Sequence, residues 1–504
     1  MAIKSLLMCH QATLAEQGIM QRTAAALITL FLVAYSDASV IKELTTGEDR
    51  AQVQLSRNRL FSDAIDLKVE AFGEEYSLRL LPATSVLVED FRMQRATRSK
   101  EGHLIIEDLR VGRPNCVYQD TALQASLIVE GNTVDGFITS NIAFRPNPDG
   151  THVAYQPYFQ PFPKSWNATA DYMKVPENLI EPRNVIADLR ADGTVYPEIY
   201  VLVDSTISSL LGDHGKIQDY LSVFWNAVNQ RYAGLKDPQM RLRLAGALII
   251  DTPADEPFIT NNILSKDYIS GEGTLDSLGD WLYTRAQLPK YDIAYLMTGR
   301  NMATVDSGVI QDGLAGISWQ GGACLISDEM QRSFNTAMGE DVGAVYSGVL
   351  TAAHEVAHTL GVPHDGVDGA EGCPWEDGYI MSYVAGKSNK LFFSPCSQSL
   401  MRSYLASAEA DCLWEKTSVD AITLSNKLPG DIITLDGQCQ KITGNSTAYA
   451  SKSVSDDSLC VQLVCQWQEK KGNSVYVYTQ SSGQPAAEGS ACRGGGRCLN
   501  GKCQ

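Results

Sequence analysis

Three histidines and a glutamate are spaced to build a metal site in the run His354-Glu355-Val356-Ala357-His358-Thr359-Leu360-Gly361-Val362-Pro363-His364-Asp365. Histidines four apart share one face of a helix, so the imidazoles of His354 and His358 can point at one ion. Gly361 ends that helix, because it accepts a backbone turn that other residues resist. The turn can bring His364 round as a third ligand. Three protein ligands leave a fourth position for water, the mark of a catalytic rather than a structural zinc. Zinc lowers the pKa of such a water to about 7. Glu355, next to the first histidine, is placed to take its proton as general base. The chemistry implied is metal-assisted hydrolysis.

The surroundings favour a built site over a chance pattern. The chain has seven histidines, and three of them fall within this run. Met381 follows in Tyr379-Ile380-Met381-Ser382-Tyr383, at the distance of the methionine turn that lies under such a zinc. Together these residues resemble the metzincin metalloproteases. Asp365, directly after the third histidine, is similar to the reprolysin branch, which holds the snake-venom metalloproteases and the ADAM and ADAM-TS proteins. The segment Gly313-Leu-Ala-Gly-Ile-Ser-Trp-Gln-Gly-Gly-Ala-Cys324 resembles the reprolysin stretch before the active-site helix. The resemblance covers most of the chain and is sharp between Gly313 and Cys412. It implies an α/β metzincin catalytic domain with a mixed, mostly parallel sheet and an active-site helix. It also implies one catalytic Zn²⁺, a site floor at Met381, and a role for Asp365 in supporting the third ligand or anchoring a helix.

Those elements need a chain of several domains, and 504 residues allow roughly three. A hydrophobic fraction of 44% is enough for packed cores. A net charge of −18 argues against nucleic acid or an anionic membrane as a main partner. Residues Ala24 to Ala34 form a short apolar run after Gln21-Arg22, with small-residue cleavage candidates at Ala34-Tyr35-Ser36 and Ser36-Asp37-Ala38. It is too short to span a bilayer and reads as a signal region over 1–38, with Met20 as an alternative start. No later stretch is apolar enough to span. Ten of the twelve cysteines lie between Cys324 and Cys503, which suits disulfides in a secreted chain. Asn167-Ala-Thr169 and Asn445-Ser-Thr447 are candidate N-glycosylation sites.

Residues 39–193 alternate apolar and polar positions, as in Tyr76–Leu81, and read as a β-rich region. Its place resembles a reprolysin propeptide. Cys116 stands alone there, since Val134 lies where the family usually carries a second cysteine. A lone propeptide thiolate is a candidate cysteine switch, able to take the fourth zinc position. A catalytic domain is expected over 194–416. Ile199–Val203, Leu242–Ile250 and Tyr291–Met297 read as strands, and Ile217, Tyr220, Leu221, Phe224, Trp225 and Val228 recur at helical spacing. Val342, Val345, Tyr346, Val349, Leu350 and Ala353 give the histidine-bearing helix its buried face.

Four cysteines allow three pairings, and spacing alone does not decide among them. The resemblance pairs Cys324 with Cys412 and Cys373 with Cys396. It also places Glu198, Asp292 and the Cys412 carbonyl where reprolysins can hold a structural Ca²⁺, although the usual Asn near the end of that set is Glu415 here. The tail, 417–504, carries six cysteines and resembles a cysteine-rich, disintegrin-like module of ADAM-TS proteins. So small a module needs its disulfides to fold. It contains no Arg-Gly-Asp, and its expected partners are substrate or matrix.

The sequence therefore reads as a secreted zinc endopeptidase, made as a zymogen, that cleaves matrix or plasma proteins with Glu355 as general base. Two other readings are a non-enzymatic binding protein that uses the tail, and a zinc peptidase dedicated to small peptides. The intact Glu355 argues against the first, and the lack of a group to hold a free terminus argues against the second.

Overall fold

A computed structural model describes residues 45–503 apart from 58–63, 113, 139–141, 158–170, 180–192, 286, 342–345, 383, 385–387, 416–433, 444, 454–455, 472–473, 482–485, 487–489, 493–495 and 500–501. The signal region and Asn167 lie outside the described residues.

The N-terminal region is a β-barrel. Its strands are β1 (Thr45–Arg57), β2 (Ile65–Ala71), β3 (Glu74–Pro82), β6 (Val117–Asp120), β7 (Ala125–Glu130), β8 (Thr133–Ile138), β9 (Ile142–Pro146) and β10 (His152–Pro157). They close in the order β1-β10-β9-β8-β7-β6-β3-β2, with antiparallel pairing throughout. Strand β2 alternates buried and exposed residues without a break, so one face fills the barrel and the other meets solvent. Leu67, Leu80, Leu127 and Phe144 form the interior.

Three strands of the stretch that the sequence assigned to this region, Tyr172–Lys174 among them, leave it. Strands β4 (Leu87–Arg98) and β5 (Leu104–Asp108) extend the large central sheet instead. That sheet also holds β11 (Tyr172–Lys174), β12 (Glu198–Val203), β13 (Arg243–Ile250), β14 (Ile293–Thr298), β15 (Gly316–Gln320) and β16 (Thr336–Glu340). Its order is β11-β15-β16-β14-β12-β13-β4-β5. Only the β15–β16 and β4–β5 pairs are antiparallel. Strands β12 and β14 are buried along their whole length, as a parallel sheet covered on both faces requires.

Successive residues of β12 point to opposite faces. Ile199, Val201 and Val203 pack against α2 (His214–Tyr232) and α4 (Val349–Thr359). Tyr200 and Leu202 pack against α3 (Gly271–Tyr283). Each of the helically spaced residues Ile217, Tyr220, Leu221, Phe224, Trp225 and Val228 is buried on α2. Asp213 caps that helix by accepting from the amides of Gly215 and Lys216. The helix carrying His354 starts only at Val349, so Tyr346 enters the core from the preceding turn. Val342 and Val345 lie outside the described residues.

The barrel packs directly on α2. Its Ile128, Phe137, Ala143 and Tyr155 share a core with Trp225 and Val356. Asn226 donates to the hydroxyl of Ser126, which donates in turn to the carbonyl of Val223. The β-rich stretch is therefore not a free-standing unit: it gives β4, β5 and β11 to the central sheet and shares a core with α2 and α4.

The tail holds a hairpin of β17 (Val464–Lys471) and β18 (Ser474–Ser481), tied through Cys465 to Cys439, and two further disulfides, Cys460–Cys498 and Cys492–Cys503. No helix among the described residues is long and apolar enough to cross a membrane.

Candidate metal centre

The two histidines on α4 sit one turn apart with ring centroids 4.6 Å from each other. The helix stops because Gly361 takes φ +78°, and a Cβ there would fall 2.9 Å from the Tyr404 ring. The amide of Gly361 then reaches the carbonyl of His358, and the amide of Val362 that of Ala357. This reversal carries His364 back until its Nε2 lies 3.2 Å from Nε2 of His354. His354 turns its Nδ1 to the carbonyl of Ile380 (2.8 Å), and His358 turns its own to the carbonyl of Val362 (2.6 Å). With Nδ1 so engaged, Nε2 is left to face an ion. Burial, with the charges of His354 and His364, pulls His358 down to about 4 against the opposing effect of Asp171, so the ring is neutral as a ligand must be.

A fourth group meets the three histidines, and it is not a cysteine. Asp171, wholly buried at the start of β11, sets Oδ2 at 3.1 Å from Nε2 of both His354 and His364. Its Oδ1 faces Nε2 of His358 at 3.8 Å, and neither of those two atoms has a hydrogen bond. Burial works against ionisation of Asp171, but the three histidines outweigh it and hold the carboxyl well below its usual range.

The four groups fit zinc. A tetrahedral ion with ligands at about 2.0–2.1 Å needs ligand atoms roughly 3.3 Å apart. The observed separations bracket that value, and an ion would satisfy both orphaned atoms. Among the described residues, the other metal-capable cluster is Cys460, Cys492 and Cys498, whose sulfurs are already in disulfides.

Cys116, the expected cysteine switch, is disulfide-bonded here and is not among the groups that meet the histidines. Nothing local marks Asp171 in its stead: it is one of 59 acidic residues, and its nearest histidine partner is 183 positions away.

Glu355 is buried beside the first histidine and accepts from the hydroxyl of Ser318 at 2.8 Å. Its carboxylate lies over Gly316, where any Cβ would collide with it. Burial first, and the charge of Asp171 second, push Glu355 well above its ordinary range, while Ser318 opposes. Met381 is buried in the core that holds Val356 and Ala357, and its carbonyl accepts from the amide of Asp365. The side chain of Asp365 points away from the histidines. It accepts from the hydroxyls of Ser394 (2.6 Å) and Ser397 (3.0 Å), at the start of α5 (Pro395–Leu405).

Cys324 is joined to Cys412, and Cys373 to Cys396. Glu198 and Asp292 are buried neighbours. The amide of Glu198 donates to Asp292 Oδ2 (2.9 Å), and the amide of Asp292 to the carbonyl of Glu198 (2.8 Å). The carbonyl of Cys412 accepts from the amide of Glu415. Asn445 is partly buried and accepts from Thr447 in its own turn.

Residues 218–365 match the metallo-peptidase family M12B, reprolysin-like, and residues 429–504 match ADAMTS cysteine-rich domain 2. These two stretches are thus similar to a reprolysin-type metallopeptidase domain and to an ADAMTS-type cysteine-rich domain. Metallopeptidases of this family use zinc. A Bombyx mori protein described as "A disintegrin and metalloproteinase with thrombospondin motifs like" is 36% identical over 320 residues, covering 61% of this chain and 44% of that one. The venom metalloproteinase antarease of Tityus serrulatus is 25% identical over 375 residues, covering 69% and 89%. Venom metalloproteinase 3 of Eulophus pennicornis is 25% identical, covering 68% and 84%. The match thus spans under half of the Bombyx relative and most of the venom enzymes.

Proposed function

We propose that this chain is a secreted zinc endopeptidase of extracellular matrix or plasma proteins, made as a zymogen. The observation that carries the reading is the convergence of three buried imidazole nitrogens with Glu355 on the same helical turn. His354, His358 and His364 are the residues that would hold the metal. Zinc there supplies Lewis acidity and a water that loses its proton near neutral pH.

The chain's own residues supply the rest. The carbonyls of Ile380 and Val362 hold the His354 and His358 rings in the ligating tautomer. Glu355 takes the proton from the attacking water at its free carboxylate oxygen and delivers it to the nitrogen of the leaving amine. The Ser318 hydroxyl fixes the other oxygen of Glu355 and so aims it. Met381 floors the site, and Asp365 holds the segment after His364 to α5.

In this reading 39–193 is a propeptide, 194–416 the catalytic unit and 417–504 a module that binds substrate or matrix. Kinship with venom metalloproteinases supports secretion. Glu198, Asp292 and the Cys412 carbonyl form a structural Ca²⁺ site, a reading supported by the burial of both acidic residues side by side. The test is digestion of a panel of intact matrix and plasma proteins by the processed chain, beside Glu355→Ala and a chelated sample. Internal cleavage absent from both controls supports the reading, and no cleavage by a folded, zinc-loaded preparation removes it.

A further inference from the structure

The geometry points to Asp171 as the latch of the zymogen: its carboxylate takes the fourth ligand position of the histidine site, and the strand that carries it fills the place of a substrate peptide. This rests on the zinc-endopeptidase reading above.

The atoms argue for coordination. Oδ2 is equidistant, at 3.1 Å, from two histidine nitrogens, while Oδ1 and Nε2 of His358 are buried, close and without hydrogen bonds. Buried polar atoms are rarely left so, and an ion among them removes the anomaly. Oxygen is a fit ligand for zinc, as nitrogen is.

The strand argues for occlusion. β11 lies parallel to the edge strand β15, with Tyr172 opposite Ser318 and Met173 opposite Trp319. The amide of Ser318 donates to the carbonyl of Asp171 at 3.2 Å. Adding a strand to an exposed sheet edge is how extended peptides are commonly bound. Ser318, the residue that Tyr172 pairs with, also holds Glu355 through its hydroxyl. The Tyr172 ring packs on His358 at 4.6 Å and on His364 at 5.4 Å. Lys174 pairs with Asp368 at the far end. Ligand and cover are thus one continuous segment. Hydrolysis of a peptide bond that frees this segment would open the fourth position to water and the edge to substrate in one step.

The test uses the full, unprocessed chain with Co²⁺ in place of Zn²⁺. Asp171→Asn keeps the shape of the side chain, and Asp171→Ala removes it. Both should change the visible absorption of the bound cobalt and release the metal to a chelating dye at least about tenfold faster than wild type. Both should also cleave a fluorogenic peptide without processing. Unchanged spectra and release rates, in variants that melt as wild type does, would overturn the proposal. Wild type provides a second reading should either variant misfold: hydrogen exchange of the Ser318 and Met173 amides should slow when zinc is added to the metal-free chain. Equal exchange would count against the latch. Altered cobalt spectra with a processed wild type that cleaves nothing would uphold Asp171 as ligand and sink the endopeptidase reading instead.

Discussion

Asp292 shows how strongly position can reset a single group. Burial pushes its carboxyl up to about 8, and the charges of Glu198 and Glu415 add to the effect. In the unfolded chain the proton leaves near 3.8. The stability that this raised pKa contributes is therefore complete below about 4 and is lost as pH rises to about 8. In calcium-free buffer, Asp292→Asn should flatten the fall in unfolding free energy across that window by up to about 1.4 kcal/mol per pH unit. If the proposed calcium site is real, saturating Ca²⁺ should flatten it in wild type, because a bound ion would hold the carboxylate ionised. Denaturant melts at several pH values check both, and an unchanged slope in the variant would contradict the account. At this scale the sequence was readable where residue type and spacing coincide, as in His354, His358 and His364. It singled out Cys116, whereas the group found beside the histidines is Asp171. It was silent at Asp171, because a carboxylate in an acidic chain carries no mark of a partner nearly two hundred positions away.

The elements that hold the site meet end to end. Helix α4 presents two histidines, Gly361 reverses the chain, His364 returns, and Asp365 ties the return to α5 through Ser394 and Ser397. Ser394 does two things at once: its hydroxyl caps α5 by accepting from the amide of Ser397, and it donates to Asp365. Ser394→Ala should cost about 1–2 kcal/mol in unfolding free energy. It should also quicken metal loss, with both effects largely restored by Ser394→Thr. Thermal melts and chelator-driven metal release measure the two, and a variant as stable as wild type would show that the cap carries no weight. Helical periodicity in α2 and the apolar runs of β12 and β14 were legible because burial on one or both faces writes itself into short-range pattern. The departure of β4 and β5 to the central sheet was not, because alternation in a strand says which face is buried and nothing of which sheet it joins.

Across the whole molecule, the N-terminal region and the stretch similar to metallopeptidases share structure. β4 pairs with β13 along the sheet, and Ile128, Phe137 and Tyr155 complete the core around α2. A chain beginning at Thr194 would face water with that edge and that apolar surface, both prone to association. Its refolding yield should be well below that of the full chain and should recover when 39–193 is supplied in trans. Equal yields would show that the shared core is not needed for folding. The tail, in contrast, is built around three disulfides of its own. In the proposed function, the histidine cluster with Glu355 hydrolyses peptide bonds. The most direct measurement is the rate at which processed, zinc-loaded protein cuts an intact extracellular protein, with Glu355→Ala alongside. The account predicts internal cleavage that falls at least about a hundredfold in the variant, with zinc content unchanged. Equal rates in the two proteins would contradict it.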